Sequence, residues 1–132
     1  MSESRLQSEV VKYIKLQYPK ALYCASLGGI RTSMTQAIMA KRTGYVKGFP
    51  DLFVYEPSPC GKYHGLALEI KTLKGRATKE QKEWIEALNE RGYKAVIVKG
   101  LPDILNCIDS YFLHQSMDQA KELHKEYLNE KD

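Results

Sequence analysis

Three side chains in the middle of the chain have the types and spacing of a metal-dependent hydrolytic site. Glu69 and Lys71 are two residues apart in an apolar, strand-like segment, so both side chains face one side of the predicted strand. Asp51 opens the preceding apolar segment directly after Pro50, and a hairpin between the two segments would bring it beside Glu69. Two carboxylates at the end of a sheet offer the oxygen ligands that Mg²⁺ prefers.

The glutamate and the lysine alone do not establish a site. An acidic residue two positions before a lysine is expected about once by chance in a chain of this length and composition. The segment Glu80-Gln81-Lys82 repeats the pattern on a predicted helix. An ion pair at the sheet surface is therefore the alternative explanation for Glu69 and Lys71. The expected position of Asp51 beside them favours the metal site.

Two further polar side chains are candidates for the same site. Glu9 lies at the edge of the apolar stripe of the first predicted helix, where a carboxylate can be held against the sheet. The alternative for Glu9 is an exposed residue at a helix edge. Gln81 lies in the first turn of the helix that follows the Glu-x-Lys strand, and its alternative role is a capping box with Thr78.

Basic residues flank the proposed site along the sequence. The first 50 residues hold eight Lys and Arg against two Glu, whereas residues 101–132 hold three Lys against seven acidic residues. This uneven charge favours a surface that binds a polyanion such as nucleic acid, although a solvated surface with uneven charge is the alternative. Phosphate contacts of this kind position a duplex without reading its sequence. The candidates are Lys41, Arg42, Lys47, Lys74, Arg76 and Lys79.

The composition is that of one soluble globular domain. Of the 132 residues, 43% are hydrophobic and 27% are charged, and the net charge is +4. No apolar run approaches the ~20 residues of a membrane span, and no secretory signal is visible. Three widely spaced cysteines, Cys24, Cys60 and Cys107, predict free thiols in a reducing cytoplasm. We therefore expect a cytoplasmic protein that has no membrane partner.

Local signals along the chain predict alternating helices and strands. Capping boxes at Ser4 with Gln7 and at Thr78 with Gln81 begin two helices, and Pro19 ends the first. The other predicted elements are strands at about 21–26, 51–55, 65–71 and 93–99, and helices at about 34–43 (capped by Thr32 or Ser33), 102–115 and, highly charged, 117–129. This order predicts an α/β fold over residues 1–132, in which helices flank a mixed central sheet.

The combined motifs resemble a known nuclease family. They are Gly44-x-x-x-Gly48-x-Pro50-Asp51, then Leu68-Glu69-Ile70-Lys71, and then Gln81 in a helix that ends at Gly92-Tyr93. Together they resemble the VRR-NUC (virus-type replication-repair nuclease) domain of the PD-(D/E)xK superfamily. The resemblance covers about residues 5–112 and is to the short, stand-alone type found in phages and bacteria. It implies the restriction-endonuclease-like core of that superfamily.

The resemblance implies a role for each matched residue. Asp51 and Glu69 would bind Mg²⁺ or Mn²⁺ together with the backbone carbonyl of Ile70, and Lys71 would orient or help deprotonate the attacking water. Glu9 would match the acid of the family's N-terminal helix and would be a further possible metal ligand. Gln81 would match the glutamine that supports the site. Arg31 follows a Gly-Gly turn that resembles a family loop near the DNA.

The implied activity is hydrolysis of phosphodiesters in branched DNA, particularly in four-way (Holliday) junctions, by an endonuclease in a bacterial or phage-infected cell. The alternatives are a flap or nicking nuclease and a DNA-binding module that does not cleave. Because a four-way junction is roughly two-fold symmetric and needs two cuts, we expect a homodimer. The preferred interface is the 34–43 helix, with Met34, Ala37, Ile38 and Met39, and the second candidate is the 102–115 helix, with Tyr111 and Phe112.

Overall fold

The computed structural model describes residues 1–26, 33–113, 125 and 128–129. Within this described part, four helices are interspersed with four strands, which confirms the predicted α/β class. Arg31 and most of the acidic helix predicted over 117–129 lie outside the described residues. The elements are α1 (Glu3–Gln17), β1 (Tyr23–Ala25), α2 (Met34–Arg42), β2 (Leu52–Val54), β3 (Leu66–Lys71), α3 (Lys79–Glu90), β4 (Lys94–Lys99) and α4 (Leu101–Leu113).

The sheet is mixed, as the sequence predicts, and its strand order is β1-β2-β3-β4. The first three strands are antiparallel neighbours, and Leu52 pairs with Leu68 in the hairpin between β2 and β3. After β3 the chain crosses through α3 and returns as β4, which is parallel to β3. The site residues therefore lie on central strands that have neighbours on both sides.

Helices cover both faces of the sheet. On one face α1 and α4 pack against the alternate residues Leu66, Leu68 and Ile70 of β3. On the other face Ala67 belongs to a smaller cluster with Leu88 of α3. Since side chains alternate along a strand, Glu69 and Lys71 follow Ala67 on the α3 side. All six residues of β3 are buried, so both charged side chains lie in the interior.

The predicted cap of the first helix was wrong by two residues. Ser2, whose backbone is extended, is the N-cap, and its hydroxyl accepts a hydrogen bond from the Arg5 N–H at 3.2 Å. Ser4 is already inside the helix, so it does not form a capping box with Gln7. The amide of Gln7 instead donates to the backbone carbonyl of Asp51 at 3.4 Å. The predicted end was correct, because α1 ends at Gln17, before Pro19. The caps at Ser33 and Thr78 are confirmed.

Tyr111 was wrongly predicted to lie outside the core. It extends the buried stripe of Ile104 and Ile108 by three residues along α4, and its hydroxyl donates to the Glu56 carbonyl at 2.6 Å. Phe112 stacks on Tyr18 with 4.2 Å between ring centroids. Tyr111 is therefore used within the fold, and Phe112 is half-buried, so the second candidate for a dimer interface offers less free apolar surface than the sequence predicts.

A buried carboxylate fixes the position of α1. The Asp109 carboxylate on α4 accepts hydrogen bonds from the hydroxyl of Tyr13, at 2.7 Å, and from that of Tyr18. Asp109 is almost fully buried, and the bonds connect parts of the chain that are far apart in sequence. Because α1 carries Glu3 and Glu9, this network sets where those two acids stand relative to the sheet.

Two further expectations concern cysteines and membranes. Cys24, Cys60 and Cys107 are free, as predicted; the first two are exposed and the third is buried. Among the described helices, none is long and apolar enough to cross a membrane.

Candidate active site

The hairpin between β2 and β3 brings Asp51 to the Glu-x-Lys strand. Asp51 directly precedes β2, and its Oδ2 accepts a hydrogen bond from the Ile70 N–H at 2.8 Å. Its backbone carbonyl accepts from the Ser26 N–H at 2.9 Å and from the Gln7 side chain. Strands β1 and β3 and helix α1 therefore hold Asp51 from three sides, at the place that the sequence predicts.

Glu69 is a buried carboxylate whose oxygens lack hydrogen bonds. It is 1% exposed, and neither Oε1 nor Oε2 has a hydrogen-bond partner among the described residues. The Nζ of Lys71 lies 3.5 Å from Oε1, which is an ion pair longer than a well-formed hydrogen bond. Buried polar atoms are normally hydrogen-bonded, so both oxygens of this carboxylate remain available to accept a ligand.

The charges of the site are unbalanced. Burial, and then repulsion from Asp51, raise the pKa of Glu69 to about 7, and the nearby Lys71 ammonium opposes this shift. Burial also raises the pKa of Asp51, although the hydrogen bond from Ile70 and the charge of Lys71 lower it. Lys71 is the cation that acts on both carboxyls. An additional positive charge at this place would favour the ionised form of both.

The donor set fits a divalent metal ion. Hard carboxylate oxygens of Asp51 and Glu69, together with the backbone carbonyl of Ile70, which directly follows Glu69, are ligands suited to Mg²⁺ or Mn²⁺. Within the described part of the chain, no group of three or more His, Cys, Asp and Glu side chains has a metal-binding arrangement. A small number of protein ligands is enough for Mg²⁺, because this ion retains several waters and is usually bound by one or two carboxylates.

Glu3 contacts the site, and sequence reasoning missed it. Its Oε1 lies 3.7 Å from the Nζ of Lys71, and its negative charge contributes to the raised pKa of Asp51. An acidic residue in the first turn of a helix is common, because the helix dipole stabilises a negative charge there. No sequence signal therefore distinguishes Glu3. Glu9, the predicted α1 acid, is half-buried and pairs with Lys12 at 3.5 Å. Its role in the site remains a prediction.

Gln81 forms the cap that was its alternative role. Its Oε1 accepts from the Thr78 N–H at 2.9 Å, and its own N–H donates to the Thr78 hydroxyl at 3.1 Å. This capping box sets the beginning of α3. A supporting role for Gln81 in catalysis remains a prediction.

The loop before Asp51 packs tightly on the beginning of α3. Gly48 has a φ of +96°, and a Cβ there would lie 2.6 Å from the carbonyl carbon of Glu80. The indole N–H of Trp84 donates to the carbonyl of Lys47 at 3.1 Å. A glycine is therefore required at position 48, and the close approach holds the Pro50-Asp51 segment in place.

The predicted DNA-binding residues fall into two groups. Lys41 and Arg42 lie at the exposed end of α2, and Lys47 is exposed in the loop that follows. Lys74, Arg76 and Lys79 are exposed in the segment directly after Lys71, and Lys79 also lies 3.9 Å from Glu83 of the same helix. The second group is nearest to the site along the chain.

The unsatisfied charge of Glu69 predicts an effect on stability. Glu69→Gln is expected to stabilise the metal-free protein by on the order of 2 kcal/mol at pH 8, because glutamine carries no charge to bury. The folded wild type retains the Glu69 proton up to about pH 7, whereas an unfolded carboxyl loses it near its ordinary pKa of 4.5. Wild-type stability therefore falls as the pH rises through this window, and the gain should be smaller at pH 5.

Thermal melting in the presence of a chelator measures this gain. Glu86→Gln, which replaces an exposed carboxylate on α3, is the control and should not change the melting temperature. Equal melting temperatures for wild type and Glu69→Gln at pH 8 would contradict the description of Glu69 as a buried charge whose cost the ion pair with Lys71 offsets only in part.

Comparison with known proteins identifies a family model and similar solved structures. The family model for the VRR-NUC domain matches residues 2–102. A solved structure described as "VRR_NUC domain protein" is similar to this chain with a TM-score of 0.71 and 33% sequence identity, over 84% of this chain and 88% of that one. Among curated proteins, none matches.

Proposed function

The chain belongs to the VRR-NUC family, whose function is of the nuclease type, and on this premise we propose a specific activity. The protein is a Mg²⁺- or Mn²⁺-dependent endonuclease that acts on branched DNA and resolves four-way junctions as a homodimer. The observation that supports this most is Glu69, a buried carboxylate with unsatisfied oxygens beside Asp51 and Lys71. A charged, unsatisfied group in the interior is costly unless it serves a ligand.

The residues of the site divide the work of hydrolysis. Asp51 and Glu69, with the carbonyl of Ile70, would hold the metal ion. When bound, that ion would supply Lewis-acid charge stabilisation and lower the pKa of water. Lys71 directs its ammonium donors toward the attacking water or a phosphate oxygen and stabilises the negative charge that develops there. In the reaction, the oxygen of water bonds to phosphorus and loses a proton to solvent, one bridging P–O bond breaks, and the leaving oxygen takes up a proton from solvent.

The charges of the site argue against the alternative of a DNA-binding module that does not cleave. A module that only binds DNA has no use for a buried carboxylate, Glu69, beside a half-buried one, Asp51, because both repel backbone phosphates. Burial raises the pKa of both acids, and repulsion from Asp51 adds to the rise for Glu69, so ionising both acids at this place is unfavourable without a further cation. Perturbed titratable groups of this kind are typical of catalytic sites.

A panel of DNA substrates tests the proposed function. A four-way junction, a flap and a linear duplex of the same sequences are incubated with the protein and Mg²⁺. We expect paired cuts near the branch of the four-way junction and slow cutting of the linear duplex. If only the flap were cleaved, the proposed activity would be flap cleavage and not junction resolution. If none of the three DNAs were cleaved, the result would support a DNA-binding module that does not cleave.

The dimer is expected to form through α2. Met34, Ile38 and Met39 are 81%, 55% and 52% exposed, and none of the nine residues of α2 is buried. Exposed apolar side chains on one short helix suit an isologous contact. Ile38→Asp should shift the wild-type dimer toward monomer in equilibrium sedimentation and abolish paired cutting. Leu16→Asp, at an exposed leucine of α1, is the control. A wild type that is monomeric with and without DNA would contradict junction resolution.

Separate substitutions distinguish the roles of Glu3 and Glu9, the two acids of α1, in cleavage. Because Glu3 contacts Lys71, we expect Glu3→Gln to slow cleavage by about tenfold, as when an electrostatic contact with a catalytic cation is lost. Glu9→Ala tests the role that the family resemblance implies for Glu9, and it should reduce cleavage more than stability. Single-turnover cleavage and thermal melting are measured for both. Wild-type cleavage by Glu9→Ala would leave Glu3 as the acid of α1 that serves the site.

A further inference from the structure

A tight turn follows the Glu-x-Lys strand and rests on the site. The N–H of Gly75 donates to the carbonyl of Thr72 at 3.0 Å, so Leu73 and Lys74 are the two central residues of the turn. A Cβ at Gly75 would lie 3.3 Å from Glu3 Oε1 and from the Cβ of Lys71. The turn is therefore packed against the carboxylate of Glu3 and the base of the Lys71 side chain, and its central residues lie at a fixed place beside them.

Leu73 is an unusual residue for the centre of such a turn. Gly, Pro, Asn, Asp and Ser dominate turns, because they suit the backbone geometry and solvent exposure. Leu73 is 78% exposed, and a Cβ at Gly100 would lie 2.9 Å from its Cδ2. The N–H of Gly100 donates to the carbonyl of Lys71 at 3.0 Å, so the turns after β3 and β4 are adjacent. The leucine contributes little to the core and projects from this edge.

Exposed cations lie in the same turn as Leu73 and in the adjacent turn. Lys74 and Arg76 are exposed within the same connection, and Lys99, the last residue of β4, is exposed beside Gly100. Lys99 also pairs in register with Lys71 across the two strands. An apolar side chain among cations complements DNA, which presents phosphates outside and apolar base faces within. It does not complement an apolar protein surface.

We propose that Leu73 is a wedge that inserts between bases at the branch point of the DNA substrate. The inference rests on the proposed function and identifies the residue that selects branched over continuous DNA. Leucine is among the side chains that proteins insert between base steps. Separating stacked bases costs free energy, and this cost is lower where a branch already interrupts the stack. The wedge therefore favours a branch, and the turn places that branch beside Lys71.

Fluorescence of 2-aminopurine tests the insertion independently of cleavage. The base is placed next to the branch of a four-way junction, and at the same sequence in a linear duplex, and Asp51→Asn protein is added so that no DNA is cut. Insertion should raise the fluorescence of the junction about twofold or more, because the probe loses a stacking neighbour. When Leu73→Ser is combined with Asp51→Asn in the same protein, this rise should be lost. Leu73→Met in the same background keeps an apolar side chain and should preserve the rise.

Cleavage of the two substrates gives the second readout. In the otherwise wild-type protein, Leu73→Ser should reduce cleavage of the junction about tenfold more than cleavage of the duplex, because one leucine side chain is no longer buried between bases. Leu73→Met should recover most of this loss. The control is Leu16→Ala, at a leucine that is 66% exposed on α1 and should behave as the wild type.

The outcomes separate the wedge from the proposed function. If the wild type cleaves the junction and Leu73→Ser gives the same rates and the same fluorescence, the wedge is wrong and the endonuclease proposal stands. If the wild type neither binds nor cleaves any of the DNAs, both proposals fail together. An equal loss of junction and duplex cleavage in Leu73→Ser would also overturn the wedge, because it would show a general contact.

Discussion

Asp51→Asn and Glu69→Gln are each expected to abolish DNA cleavage, with a loss of about 10³-fold or more. Each removes an anionic oxygen from the proposed metal site, and metal-ion catalysis supplies several kcal/mol of charge stabilisation in the transition state. Binding of the four-way junction should persist or become tighter, because one fewer negative charge faces the phosphates. The fold should persist as well, because both replacements preserve the shape of the side chain.

Single-turnover cleavage and junction binding are measured on the same preparations. Glu86→Gln, at an exposed carboxylate of α3, is the matched control and should cleave as the wild type does. Normal turnover by either site variant at saturating Mg²⁺ would contradict the assignment of the metal ligands. If a variant melted at a lower temperature than the wild type, its loss of cleavage would be due to impaired folding. Thermal melting is therefore measured alongside both assays.

Lys71→Met is expected to lower the cleavage rate by about 10²-fold or more while metal binding is retained. The ammonium of Lys71 is the positive charge that the protein itself places beside Glu69, and losing one transition-state electrostatic contact has this scale. Metal binding should not weaken, because the lysine is not a ligand and its positive charge repels a cation. Titration calorimetry with Mn²⁺ measures the affinity, and single-turnover cleavage measures the rate.

Lys82→Met is the matched control for Lys71→Met. Lys82 is exposed on α3 and completes the other acidic-x-Lys triplet, Glu80-Gln81-Lys82. It should cleave within about threefold of the wild type, because an exposed charge is largely screened by solvent. If Lys71→Met lost metal binding together with activity, Lys71 would be acting as a structural ion-pair partner of Glu69 instead.

Much of the site could be predicted because its signals are local. Side chains alternate along β3, so the spacing of Glu69 and Lys71 places them on one face whatever the rest of the chain does. The hairpin follows from two apolar segments separated by a loop with Pro and Gly, and it brings Asp51 to the Ile70 N–H. The cap at Thr78 depends on four consecutive residues, and both of its hydrogen bonds are present.

The remaining features depend on contacts between distant parts of the chain. The position of α1 is set by bonds from Tyr13 and Tyr18 to the Asp109 carboxylate, and no periodic pattern in the first 20 residues indicates them. For this reason the sequence could not show that Glu3 reaches Lys71. The absence of hydrogen bonds to Glu69 among the described residues has the same origin, because it depends on which donors the finished fold leaves nearby.

The central claim is that Asp51, Glu69 and Lys71 form a metal-dependent nuclease site. Its most direct test is cleavage of an end-labelled four-way junction by the wild type, first with a chelator, then after Mg²⁺ or Mn²⁺ is added back, with Asp51→Asn in parallel. The account predicts cuts that require the metal and are absent with Asp51→Asn under every condition. Cleavage that persists in the chelator, or cleavage by Asp51→Asn equal to that of the wild type, would contradict it.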